Sequence, residues 1–104
     1  NDNLKVFSNP NEAVEGADVV ITDTWVSMGM DQNLNRLKKF KKFQLNSKLV
    51  NKTKKKSFIL HCLPAHRGEE ITNEIIDGKN SLVWDEAENR LYTHQSILLW
   101  CLGF

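Results

Sequence analysis

Three short runs in the sequence carry side chains able to move protons or hold charge. The first is Asp23-Thr24-Trp25-Val26-Ser27-Met28-Gly29. A carboxylate followed by a serine and a glycine-containing turn suits a ligand bearing an ammonium group: the acid takes the positive charge, and backbone near a residue without Cβ can approach closely. The same residues also describe a helix cap with a turn glycine, and taken alone they favour that reading. The second run is His61-Cys62-Leu63-Pro64. A thiol beside an imidazole can be a nucleophile or a proton relay. Adjacent strand residues point to opposite faces, so His61 and Cys62 do not form a dyad with each other. His66 is near enough in sequence to add a third donor, but the spacing matches no standard zinc pattern and no metal is expected. The commonest fate of a free cysteine, a small buried hydrophobe, stands against a chemical role for Cys62.

The third run is Asp85-Glu86-Ala87-Glu88-Asn89-Arg90. Its position predicts Arg90 in the first turn of a helix, where the dipole disfavours a cation. That points to gripping a carbonyl or phosphate oxygen, or equally to an i,i+4 pair with Glu86. Arg67 reads as a loop salt-bridge residue, and Trp84 and Trp100 as core.

The elements that must position these runs alternate strand and helix. Leu4–Phe7 is apolar and predicts a strand. Asn9-Pro10-Asn11 starts a short helix that Gly16 ends. Asp18–Asp23 is a β-branched run expected to be buried on both faces, as in a parallel sheet. A loop covers Trp25–Asp31. An amphipathic helix runs from Gln32 to about Phe43, and Asn46-Ser47 caps a second through Val50. Ser57–Cys62 is the next strand, stopped by Pro64. A polar loop, 65–70, leads to a short helix at Ile71–Ile76. Ser81–Trp84 reads as a fourth strand, and Glu86 to about Leu102 as a terminal helix. This order implies βαβ units, an α/β fold with a mostly parallel, Rossmann-like sheet and helices on both faces. In such sheets ligands bind beyond the carboxyl ends of strands, so all three polar runs are expected on one rim.

Composition narrows the function classes. The 104 residues are 40% hydrophobic and 26% charged, enough for one domain with an ordinary core. No apolar run reaches the ~18 residues of a membrane span, and Asn1-Asp2-Asn3 is not a signal peptide. Two cysteines, Cys62 and Cys101, read as thiols of a reducing compartment. The formal net charge of +1 conceals an asymmetry. Ten bases and no acid lie between Arg36 and Lys56, and the remainder has four bases against thirteen acids. The basic block alternates with Leu34, Leu37, Phe40 and Phe43, so it reads as the solvated face of a helix and a basic loop, not as a nucleic-acid surface. The start on Asn1, running at once into Leu4-Lys5-Val6-Phe7, suggests that the N-terminal part of a longer protein is absent.

Taken together, Asp23–Gly29, then His61-Cys62-Leu63-Pro64-Ala65-His66-Arg67-Gly68-Glu69-Glu70, then Glu86–Arg90, closely resemble the C-terminal part of the ornithine carbamoyltransferases, across essentially the whole chain. The resemblance implies transfer of the carbamoyl group of carbamoyl phosphate to the side-chain amine of L-ornithine, giving L-citrulline and phosphate, without metal or organic cofactor. It implies that Asp23, Ser27 and Met28 hold the amino-acid end of ornithine. Cys62, with the backbone of Leu63, would contact the carbamoyl group and border the attacking amine, and Arg90 would bind the carbamoyl oxygen. Cys62 and Arg90 are thus the catalytic candidates. The Ser-Met-Gly element argues against the sister aspartate enzyme. Met30 stands where an acid or glutamine is more familiar.

The family's phosphate-binding Ser-Thr-Arg-Thr-Arg and His-Pro-x-Gln segments do not occur here, and neither does its ornithine-binding asparagine. Residues 1–104 therefore resemble an ornithine-binding C-terminal domain lacking its first elements, with the N-terminal carbamoyl-phosphate domain absent. The family implies a homotrimer in the cytoplasm, or alternatively the mitochondrial matrix, acting in arginine biosynthesis or urea-cycle chemistry. The isolated chain is expected to be inactive. The alternatives are another amino-acid carbamoyltransferase, a non-catalytic amino-acid-binding module, or a free-standing domain using its basic helix on nucleic acid.

Overall fold

The computed structural model describes residues 3–26 and 34–104. Asn9 opens α1 (Pro10–Ala13): its side chain accepts the Asn11 N–H, and Pro10 occupies the first turn, where a missing N–H costs nothing. Strand β1 (Val19–Thr22) pairs in parallel with β2 (Phe58–His61), with Val19 opposite Phe58 and Thr22 opposite His61. Between them lie α2 (Leu34–Phe40), which tightens into a 3₁₀ turn at Lys41–Phe43, and α3 (Ser47–Val50). The predicted Asn46 cap forms: its side chain accepts the Leu49 N–H. After β2 come α4 (Asn73–Ile76) and the long α5 (Val83–Leu102). The expected α/β arrangement around a parallel pair is present.

Two expected strands are not. Leu4 and Val6 are 77% and 91% exposed, and the Leu4–Phe7 segment joins no ladder. A short apolar segment with no neighbouring strand to pair with has nothing to hold it extended. Ser81–Trp84 contributes one bridge, Ser81 to Ile59. The Leu82 N–H reaches the Ile59 carbonyl at 2.9 Å, and at Val83 the chain turns into α5. Ser81 Oγ accepts the Val83 N–H, and Asp85 and Glu86 fall in the first turn, where negative charge favours a helix start.

The core packs Leu45, Leu49, Ile59, Ile71, Ile76 and Val83. Leu45 and Ile71 bridge side by side: the Leu45 N–H donates to the Glu70 carbonyl and the Thr72 N–H to the Leu45 carbonyl. That pairing holds the segment after the 65–70 loop against the core. Val83 is the one buried residue of α5, and from Glu88 onward every residue is exposed. Trp84 and Trp100 are therefore not core residues; they are 50% and 78% exposed. The described residues offer the apolar side chains of α5 nothing to pack on.

Candidate active site at the strand ends

β1 and β2 run in the same direction, so their carboxyl ends deliver Asp23 and Cys62 to one rim. Cys62 Sγ donates to Asp23 Oδ1 at 2.8 Å. The same oxygen accepts the Thr24 N–H at 2.7 Å. These two donors, the thiol first, hold the Asp23 carboxyl below its ordinary value, so it is ionised at neutral pH. The hydrogen bond to Asp23, together with burial and the negative charges of Asp23 and Glu86, pushes the Cys62 thiol up. Cys62 is thus held as a protonated, exposed S–H donor, unlike the buried hydrophobe that a lone cysteine usually makes.

Arg90 completes the group. Its Nη1 donates to the Cys62 carbonyl at 3.2 Å, and no other hydrogen bond engages its guanidinium among the described residues. Because α5 starts at Val83, Arg90 lies in the third turn and not the first, so no dipole penalty has to be explained. Nor does Arg90 pair with Glu86 among the described residues. Glu86 turns inward instead, and its Oε2 accepts the His61 N–H at 3.0 Å. α5 therefore meets the end of β2 at two places, through Glu86 at His61 and through Arg90 at Cys62.

His61 faces the other way, as strand alternation requires, and is 1% exposed. The Leu63 N–H donates to His61 Nδ1 at 2.8 Å, so the ring's proton sits on Nε2, which meets Glu70 Oε1 at 3.2 Å. This arrangement fixes Leu63, a non-glycine residue at φ +52°. A backbone held there costs on the order of 1–3 kcal/mol, and such residues cluster at functional sites. Glu70 is fully buried. Its Oε1 also accepts the His66 N–H, and its Oε2 has no hydrogen-bond partner among the described residues.

The sequence offers no role for Glu70 and only a pairing with Arg90 for Glu86, not the bond to His61 that each acid makes. Their signal was weak: two acids on the flanks of predicted elements, where acids are usually solvated. For Glu70 the informative neighbour was Ile71, whose burial draws the adjacent carboxylate inside. The structure does not gather His61, Cys62 and His66 as a ligand set. Among the described residues, the acidic and imidazole side chains that lie close enough together to hold a cation are His66, Glu69 and Glu70, with ligand atoms within 4.8 Å. Arg67 pairs with Asp77, as its loop position predicted. Ser27 and Met28 lie outside the described residues. An open hollow of about 340 Å³ lies beside Asp23, lined by Ile21, Trp25, Phe40 and Phe43 among others; Cys62 and Arg90 do not line it.

Comparison with known proteins gives the rim a family. Residues 1–101 match the model of the aspartate/ornithine carbamoyltransferase Asp/Orn-binding domain. The chain belongs to that carbamoyltransferase family. It is 53% identical over 100 residues to the ornithine carbamoyltransferase of Rhodopseudomonas palustris, a match covering 96% of this chain and 32% of that protein. Among solved structures, the Giardia lamblia ornithine transcarbamoylase superposes with a TM-score of 0.84 at 39% identity, covering 95% of this chain and 31% of that one. The Pyrococcus furiosus ornithine carbamoyltransferase gives a TM-score of 0.82 at 49% identity, covering 88% and 29%. The chain thus spans about a third of the length of these carbamoyltransferases. No helix among the described residues is long and apolar enough to cross a membrane.

Proposed function

We propose that this chain is the ornithine-binding, C-terminal domain of an ornithine carbamoyltransferase. The complete enzyme joins carbamoyl phosphate to L-ornithine, giving L-citrulline and phosphate. The observation that carries this reading is the junction of Asp23, Cys62 and Arg90 on one rim, in a chain that matches this family along nearly its whole length.

The chemistry fits that junction. A free alkylamine is protonated at neutral pH, with a pKa of ~10.4. The ionised Asp23 attracts the α-ammonium group of ornithine and, with Ser27 and Met28, holds its amino-acid end at the rim. Once the side-chain amine has lost one proton to solvent, its nitrogen attacks the carbamoyl carbon. A C–N bond forms, the C–O bond to phosphate breaks, and phosphate departs with the electron pair and takes up the second proton that the new amide nitrogen sheds. Negative charge gathers on the carbamoyl oxygen during the attack, and the free donors of Arg90 stabilise it there. Cys62, held as a thiol by Asp23, orients the amine and does not carry an acyl group. Leu63 presents its backbone to the carbamoyl group, and Ser27 and Met28 hold the amino-acid end of ornithine.

The remaining parts of this reading concern the whole enzyme. A separate domain supplies the carbamoyl phosphate site, shared with a neighbouring subunit of a trimer. The enzyme works in the cytoplasm, or in a mitochondrial matrix, in arginine biosynthesis. A chimera tests the proposal: this chain replaces the matching segment of the Rhodopseudomonas palustris enzyme, and citrulline is measured. Turnover in the chimera, with none from the isolated chain, is the expected result. A folded chimera with no turnover rejects the reading. Binding of ornithine to such a chimera would leave a non-catalytic binding module.

A further inference from the structure

We propose that His66 is a positioning residue, whose imidazole holds Thr24 and, through the Thr24 backbone, fixes the Asp23 carboxylate against Cys62. The 65–70 loop is a firm support for such a contact. Gln44 Nε2 donates to the carbonyls of Gly68 and Glu69, each at 2.8 Å. Arg67 is tied to Asp77 and Asn73. The His66 N–H is anchored on the fully buried Glu70. From this anchored backbone the His66 side chain crosses to the end of β1, where Nδ1 lies 2.8 Å from Thr24 Oγ1.

The direction of that bond follows from counting hydrogens. Thr24 has one hydroxyl hydrogen and gives it to the Val26 carbonyl at 3.1 Å. The hydroxyl oxygen must then accept from His66 Nδ1–H. The Thr24 side chain is thereby fixed at both ends, and its N–H is aimed at Asp23 Oδ1, the oxygen that also receives the Cys62 thiol. The loop after β2 thus braces the loop after β1. Glu70 Oε2 lies 3.9 Å from His66 Nδ1.

Cys62 reports the brace directly, because its ionisation responds to how closely Asp23 is held. The charged and titratable groups around the thiol are Asp23 from the end of β1, His61 from β2, and Glu86 and Arg90 from α5. In a Cys101→Ser background, iodoacetamide alkylation measured against pH follows Cys62 alone. His66→Ala should move the profile to lower pH and raise the rate at pH 7.5 by about threefold, because a loosened Asp23 no longer suppresses the thiolate. His66→Asn places an amide N–H near the position of Nδ1–H and should restore most of the original profile. Thr24→Val should act like His66→Ala, and the double variant should go no further.

An unchanged profile in His66→Ala overturns the proposal, and so does an Asn variant as fast as the Ala variant. If His66→Ala does not fold by circular dichroism, Thr24→Val, which preserves shape, decides in its place. The consequence for catalysis, a raised ornithine KM with little change in kcat in the chimera, rests on the function proposed above. An inactive unsubstituted chimera would refute that function, while the thiol profile would still judge the brace.

Discussion

The two ends of α5 live in different worlds. At its start, Val83 is buried, Glu86 takes the His61 N–H, and Arg90 takes the Cys62 carbonyl. At its far end, Leu98, Trp100 and Leu102 are exposed, and the described residues lay no surface against them. The difference teaches that this chain sets its chemical rim on its own core, whereas the outer half of its longest helix packs on no other element among the described residues. The rim's order is inherited from Leu45, Ile59 and Ile71 beneath it.

Substitutions should separate the two halves. Ile71→Ala removes a fully buried side chain and should cost about 2–5 kcal/mol of stability in urea unfolding. Leu98→Ala, the same kind of truncation on the outer half of α5, should stay within about 0.5 kcal/mol. Equal losses would show that the far half of α5 is packed after all. The next effect lies at the near half: Arg90→Ala in the chimera should lower kcat by about 10²–10³ with little loss of stability, as expected for one donor to a developing oxyanion. Unchanged kcat removes Arg90 from the reaction.

A smaller effect concerns the rim alone. Asp23→Asn removes the charge that holds the Cys62 thiol protonated, so the alkylation profile of Cys62 should move to lower pH. A profile that stays in place would mean that burial dominates. The smallest effect is expected at the Arg67–Asp77 pair, which ties the 65–70 loop to the end of α4. Arg67 holds the Asp77 carboxyl below its ordinary 3.8. Its contribution is therefore present above that value and is lost as pH falls through the lower folded value. The urea midpoint of Asp77→Asn should trail the wild type at pH 7 and approach it in strong acid.

The convergence of polar side chains is more legible in the sequence than the sheet. Asp23 and Cys62 are readable as neighbours because strand ends in a parallel sheet share a rim, and a β-branched run such as Val19–Thr22 announces its own strand. Leu4–Phe7 and Ser81–Trp84 looked just as apolar. Whether such a segment becomes a strand depends on a neighbour to pair with, and composition does not contain that neighbour. Arg90 reaches the rim by another route than the expected one: the strand predicted to lead to it, Ser81–Trp84, does not form, and α5 carries it there instead. The contacts of Glu70 and Glu86 were not legible, because what they meet, the imidazole and N–H of His61, is set by tertiary packing.

α5 is a straight lever of 20 residues, about 28 Å from end to end at 1.5 Å per residue, and Arg90 sits only about 10 Å from its pivot at Val83. A sideways swing of about 3 Å at Leu102 therefore arrives at Arg90 as a displacement of about 1 Å, enough to part a guanidinium from a carbonyl. The aim of the arginine is thus coupled to a helix end that the described residues leave uncovered.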